Sequence, residues 1–169
     1  TDTATVTVTV TGITDGSVRD DVIRTSEATP FSARGLTGND FLEGDAGGDD
    51  LEGDAGDDRL AGNDGDDILI GGAGFDLLVG GDGADTFAFT DADAGSQDAI
   101  QGFTSGTDVL DFTGVSDAAE RADLIEVEEG GDLFIGVQSS DGDLVFTIRL
   151  VDTVAADVAD SDFLFGTMV

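Results

Sequence analysis

The sequence predicts an all-β protein, a parallel β-roll with a β-rich C-terminal cap. Three observations carry this reading. Residues Gly35 to Ala88 divide into six successive nines in which three columns never vary and a fourth is always a large apolar residue. Within each nine, a Gly- and Asp-rich stretch of turn composition precedes a short segment with one large apolar residue. The formal net charge is −32, with arginine supplying all six basic residues and no lysine at all.

The first column is Gly35, Gly44, Gly53, Gly62, Gly71 and Gly80, and the fourth is Gly38, Gly47, Gly56, Gly65, Gly74 and Gly83. The sixth is Asp40, Asp49, Asp58, Asp67, Asp76 and Asp85, and the eighth is Leu42, Leu51, Leu60, Leu69, Leu78 and Phe87. Two nines make one coil of turn, strand, turn and strand, so six nines make three coils, about the minimum for a stable stack. Stacking yields two parallel sheets with the eighth column between them. Turns two nines apart then lie roughly 4.8 Å apart, the spacing of neighbouring strands. That places Asp40 near Asp58 and Asp76, and Asp49 near Asp67 and Asp85. Like charges so close repel. A hard divalent cation between each pair cancels the repulsion, and oxygen is the ligand type that calcium takes. An acidic, solvated linker shares this composition, but it has no need of a large apolar residue every nine.

Composition excludes several functions. There is no histidine and no cysteine, which removes the commonest general base, thiolate metal sites and disulfides. The charge makes nucleic acid and anionic membrane surfaces poor partners. No apolar run reaches the roughly 18 residues of a membrane-spanning helix. Residues 1–13 show no charged and apolar leader, and the chain opens in mid-pattern, as a piece of a longer protein would. At 39% apolar residues, the core is thin but sufficient.

In chain order, residues 1–13 alternate Thr with Val or Ala, a β-branched strand of period two. Residues 14–34 hold Asp15-Gly16, Asp20-Asp21 and the sole proline, Pro30, and read as a linker. Arg24 and Arg34 either neutralise the first acidic turn or are simply solvated. Residues 35–88 are the roll. Its second column is Leu36, Asp45, Asp54, Asn63, Gly72 and Gly81. Asp and Asn tolerate left-handed geometry and Leu does not, which makes the first turn the expected weak point. Residues 89–169 read as the cap, with a helical turn near 118–122 and a hairpin of Leu133–Gln138 against Leu144–Leu150. The cap is expected to cover the open end of the roll.

GGDGADTFAF, DAIQGFTSGTDVLDF and the terminal DFLF, together with the nines, resemble the ends of RTX exoproteins, the family of hemolysin-type calcium-binding nonapeptide repeats. Serralysin-type proteases, family I.3 lipases, mannuronan C5-epimerase R-modules and large RTX adhesins share this pattern, and the Thr/Val strand resembles the closing strand of cadherin-like adhesin repeats. The alternative for that strand is an edge strand of this same chain. The resemblance implies a calcium-loaded RTX solenoid. Each ion lies between turns of nines n and n+2, held by second- and fourth-column carbonyls and the sixth-column carboxylate below. From above come the first- and third-column carbonyls and a second Asp. Carried over, the sites are Leu36, Gly38 and Asp40 with Gly53, Ala55 and Asp58; then Asp45, Gly47 and Asp49 with Gly62, Asp64 and Asp67. Asp54, Gly56 and Asp58 join Gly71, Ala73 and Asp76, and Asn63, Gly65 and Asp67 join Gly80, Asp82 and Asp85. That makes four or more Ca²⁺. The last turns, at Gly72 and Gly74 and at Gly81 and Gly83, need partners from the cap, either Asp98 and Asp108 or none if these are solvated turn residues. The resemblance also implies type I secretion, and the tail ADSDFLFGTMV reads equally as an uncleaved secretion signal and as a last strand.

The leading functional expectation is a secreted or cell-surface, non-catalytic calcium module. It folds on binding Ca²⁺ after export and supports upstream domains of the same polypeptide. A glycan-binding or adhesion module is the alternative. Catalysis by the chain itself is disfavoured. Carboxylate pairs are so abundant that none stands out, and no histidine triad, HExxH or P-loop lysine is present.

Overall fold

A computed structural model describes residues 4–7, 13–25, 29–116, 118, 124–138 and 144–166, and for 4–7 and 13–15 the backbone alone. The chain winds through β1 (Ala4–Thr7), β2 (Ile13–Asp15), β3 (Asp21–Arg24), β4 (Ser32–Thr37), β5 (Phe41–Glu43), β6 (Asp50–Ala55), β7 (Arg59–Asp64) and β8 (Ile68–Ala73). It continues through β9 (Leu77–Asp82), β10 (Thr86–Thr90), β11 (Gln97–Gln101), β12 (Val109–Gly114), β13 (Leu124–Glu129), β14 (Asp132–Gln138), β15 (Leu144–Val151) and β16 (Phe163–Phe165). Up to β12 successive strands alternate between two sheets, and β13, β14 and β15 all join the first; the orders are β1-β3-β5-β7-β9-β11-β15-β14-β13 and β16-β12-β10-β8-β6-β4-β2. Within the roll all pairing is parallel, as a chain that always winds the same way requires.

The eighth column sets the register. Leu42, Leu60 and Leu78 lie side by side in one sheet, and Leu51, Leu69 and Phe87 in the other. All six are fully buried. Each is worth about 1.5–3 kcal/mol of burial, so the two facing apolar rows hold the sheets together while every other strand position faces outward.

Stacking runs past both ends of the six nines. Upstream, Ile23 pairs with Leu42, and Ala33 with Leu51. Downstream, Ile100 continues the first row and Leu110 the second, followed by Leu150 and Phe163. Residues 14–34 are therefore not simply a linker, because β3 and half of β4 lie within them. The segment resembles a linker in composition because its turns are irregular, but its apolar residues meet the same rows. The Thr/Val run gives β1 and β2 in opposite sheets rather than one strand, with residues 8–12 outside those described.

Beyond β12 the expected hairpin is present. β14 pairs antiparallel with β15, and β13 adds to β14. Of the helical turn expected near 118–122, only Ala118 is described, and it is buried outside regular structure. The C-terminal end of the roll is filled by aromatic rings. Phe112 stacks on Phe89, Phe163 and Phe165 with centroids 5.4, 6.3 and 5.8 Å apart.

Candidate metal centre

The sixth-column aspartates are buried, each at most 3% exposed, although they lie in turns. Their hydrogen bonds explain why. Asp58 Oδ1 accepts the Asp40 backbone N–H at 2.6 Å, and Asp76 Oδ1 accepts that of Asp58 at 2.8 Å. On the opposite edge, Asp67 accepts from Asp49 at 2.7 Å and Asp85 from Asp67 at 3.1 Å. Each coil's carboxylate thus fastens the turn one coil below, and the roll carries two continuous ladders of carboxylates.

Both ladders extend beyond the repeats. Asp98 Oδ1 accepts the Asp76 N–H at 3.0 Å, and Asp108 Oδ1 accepts that of Asp85 at 3.1 Å. Asp98 and Asp108 are therefore in line with the columns and are not solvated turn residues. At the other end, Asp21 N–H donates to Asp40 at 2.7 Å and Phe31 N–H to Asp49 at 2.9 Å. Sequence reasoning missed Asp21, which belongs to a degenerate nine with Gly16 first, Asp21 sixth and Ile23 eighth. Arg19 replaces the fourth glycine, and ten residues rather than nine, Thr25 to Arg34, separate this nine from Gly35. The spacing Gly-x4-Asp-x-Ile was the available signal.

The second carboxylate oxygens have no such partners. Oδ2 of Asp40, Asp58, Asp67, Asp76 and Asp85 is buried without a hydrogen bond. A buried anion oxygen left unpaired is costly. The first-column glycines border these oxygens. A Cβ on Gly53 would lie 2.4 Å from Asp58 Oδ2 and 2.6 Å from the Gly71 carbonyl, and Gly35, Gly62, Gly71 and Gly80 are equally close to their own aspartates. In the fourth column, Gly56 has φ +143° and would place a Cβ 1.6 Å from the Gly38 carbonyl oxygen. Gly74 and Gly83 approach Gly56 and Gly65 in the same way. Carbonyl and carboxylate oxygens crowd each turn from below and above, with no side chain between them. Among the described residues, no three acidic side chains converge on one point. A cation held here takes most of its ligands from carbonyls, and this donor set fits Ca²⁺.

Electrostatics point the same way. Burial pushes Asp58, Asp76 and Asp98 up to about 7 and Asp67 to about 6, against the pull of the backbone N–H each accepts; neighbouring aspartates add to the rise for Asp58, Asp67 and Asp76, and Asp93 for Asp98. Asp40, Asp49, Asp85 and Asp108 are raised for the same first reason. Ionising the stack is thus disfavoured relative to carboxylates in water, a cost that a bound cation would offset.

The turns are not all alike. Leu36, Asp54, Asn63, Gly72 and Gly81 all have φ between +72° and +124°, so Leu36 adopts the left-handed geometry its side chain disfavours. Its pairing with Asp54 holds it there. The turn that departs is the second. Among the described residues, neither Asp45 nor Gly47 has positive φ. There the Asp45 N–H donates to Asp49 Oδ2 at 3.1 Å, and the Asp45 carbonyl accepts from Asp64 N–H at 2.9 Å. Elsewhere third-column carbonyls are the acceptors, with Ala55, Ala73 and Asp82 receiving the N–H of Gly38, Gly56 and Gly65. Arg24 pairs with Glu43, and Arg34 bridges Glu52 and Asp54, so both lie on the outer face.

The comparisons agree with this geometry. The family model of the RTX calcium-binding nonapeptide repeat (4 copies) matches residues 32–60 and 61–90. The solution structure of the AlgE6R2 subunit from the Azotobacter vinelandii mannuronan C5-epimerase is 31% identical; the match covers 85% of this chain and 97% of that one, with a TM-score of 0.57. The AlgE6R3 subunit of the same enzyme is 23% identical over 88% of this chain and 80% of its own, with a TM-score of 0.58, a likeness of fold. No curated protein matches the sequence. With its repeated Gly and Asp columns, its parallel roll and a relative matched over nearly its whole length, this chain belongs to the RTX calcium-binding nonapeptide repeat family.

Proposed function

We propose that the chain is a calcium-dependent folding module of an exported protein, without catalysis of its own. The observation that carries this reading is the pair of buried carboxylate ladders in which Oδ2 of Asp40, Asp58, Asp67, Asp76 and Asp85 has no partner. The ligand sets are those that the resemblance implies. Leu36, Gly38 and Asp40 face Gly53, Ala55 and Asp58, and the later turns follow in the same pattern. Asp98 and Asp108 close the last two turns above Gly72, Gly74 and Asp76, and above Gly81, Gly83 and Asp85. Bound calcium supplies the positive charge that lets adjacent aspartates ionise inside the stack. Without it, the aspartates repel or retain protons, and the chain stays loose in a low-calcium cytosol. At the roughly millimolar calcium outside the cell, where extracellular modules bind at about 10⁻⁴–10⁻³ M, binding and folding occur together. Type I secretion and support of upstream domains are what the family resemblance implies, and a switch of this kind suits them.

Far-UV circular dichroism tests the proposal. The chain should lose most β structure in EDTA at pH 8 and regain it with Ca²⁺ but not with equal Mg²⁺, which demands shorter bonds in a tight octahedron. A spectrum indifferent to both ions refutes it.

A second reading, uronide binding, draws on the 31% identical epimerase subunit and on one feature of this chain. An open depression of about 430 Å³ on the first sheet is lined by Gln97, Asp98, Ala99, Phe134, Thr147 and Arg149. Calorimetry with oligouronates distinguishes the two, since this reading requires binding that Arg149→Ala abolishes.

A further inference from the structure

We infer that the free edge of β13 is a docking site for an extended segment of a partner protein in which apolar and basic residues alternate. The inference is independent of the calcium reading. β13 ends the first sheet. It pairs along its whole length with β14, from Leu124 opposite Val137 to Glu129 opposite Asp132, and with no other described strand. Among the described residues it is also the longest of the four sheet edges, with six residues against four in β1 and three each in β2 and β16. An open edge presents a row of backbone donors and acceptors to a strand laid beside it.

The two faces of β13 define the partner. On one face Ile125 and Val127 are 38% and 52% exposed, and Leu144 beside them is 57% exposed. With Phe134 and Gly136 they border an apolar hollow of about 270 Å³. Gly136 stands opposite Ile125 and keeps the floor of the hollow open, because a Cβ there would lie 2.7 Å from Leu144 Cδ1. Three of the seven large apolar residues exposed among the described residues thus meet at this one hollow, and such patches mark interaction sites. The other face carries Glu126 and Glu128, opposite Ile135 and Leu133. Glu128 is exposed, and one of its oxygens accepts the Ala155 N–H at 2.9 Å. An edge that is merely guarded against association carries charge without exposed apolar surface; β13 carries both, one on each face. Residues directly opposite on paired strands share a face. An incoming strand therefore sets apolar side chains at the hollow beside Ile125 and Val127, and basic ones beside Glu126 and Glu128. A second copy of this chain does not fit, because β13 laid on β13 brings glutamates together within a net charge of −32.

Amide hydrogen exchange and calorimetry of the full chain in calcium test this, with a peptide of about eight residues alternating valine and lysine as the probe. The outward amides of residues 124–129 should slow on binding. Val127→Lys, which removes apolar surface and adds a like charge, should weaken binding at least about five-fold. Ile125→Lys, at the other side of the hollow, should do the same, and unchanged exchange in β14 and β15 shows that both variants are folded. A peptide of equal charge alternating glycine and lysine measures general attraction to the acidic chain; it should bind more weakly and slow none of these amides. Equal binding by that peptide overturns the inference, as does slowing at β1 or β16 in place of β13, or affinity unchanged in both variants. Self-association of the chain that Val127→Lys abolishes gives the edge to a second copy and also overturns it. Each of these failures leaves the calcium reading intact.

Discussion

Asp58→Asn should change sign with calcium. Asp58 sits in the middle of one ladder, with Oδ1 on the Asp40 N–H and Oδ2 unpaired beside the Gly71 carbonyl. Burial raises its pKa from 3.8 to about 7. Ionised at pH 8, such a carboxylate costs the calcium-free fold on the order of 4 kcal/mol. Asparagine keeps the Oδ1 acceptor, carries no charge and turns an amide toward the Gly71 carbonyl. Allowing about 1–3 kcal/mol for an imperfectly paired amide, the variant should stabilise the calcium-free fold by about 1–3 kcal/mol. In calcium the same change removes a carboxylate shared by two proposed sites. Breaking a buried charge pairing costs about 3–5 kcal/mol, so the calcium midpoint should rise ten-fold or more. Urea melts followed by circular dichroism, in EDTA and in millimolar calcium, read both signs. Asp50→Asn, on an exposed outward-facing position of β6, is the control. Asp57 is not a suitable one, because its Oδ1 accepts the Phe75 N–H at 3.0 Å. A shift of the same sign in both conditions, or an equal effect at Asp50, would refute the assignment of the sixth column as ligands.

Acidity should partly replace calcium. Asp58, Asp67, Asp76 and Asp98 stay protonated in the fold up to about 6–7, whereas the unfolded chain ionises them near 3.8. The fold therefore holds more protons between about pH 4 and 7, and the calcium-free stability falls as pH rises through that window. The calcium midpoint runs the other way and should be higher at pH 5.5 than at pH 8, since the ion must displace those protons; a pH-independent midpoint refutes this. Gly56→Ala meets both left-handed backbone and the Gly38 carbonyl and should cost more than about 3 kcal/mol, while Gly102→Ala, at φ +84° with open space around it, should cost about 1 kcal/mol. Equal melting temperatures for the two variants would show that the close approach between turns is unimportant.

How far the fold could be read depended on whether it left a regular interval in the chain. Inside the nines, strand spacing and residue number advance together, so Asp40 and Asp58 could be placed side by side by counting. Outside them the spatial period persists while loops absorb extra residues. Asp98 and Asp108 stand 22 and 23 positions from their ladder neighbours instead of 18, and Asp21 stands 19. Composition then no longer tells a coil from a linker. Leu36 and Asp45 show the opposite failure. Local preference favoured Asp45 for the left-handed position, yet the pairing of β4 with β6 holds Leu36 there, while Asp45 is drawn into bonds with Asp49 and Asp64.

The ladder bonds have a direction. The N–H of each sixth-column residue, from Asp21 to Asp85, is accepted by a carboxylate eighteen or more positions further along the chain. Fastening order and chain order therefore run opposite ways. A chain emerging amino end first offers donors whose acceptors have yet to appear; each turn stays unlatched until the next coil follows, and the last two until Asp98 and Asp108 arrive. A chain emerging carboxyl end first sets the last latch at once, and every coil that follows meets an acceptor already in position.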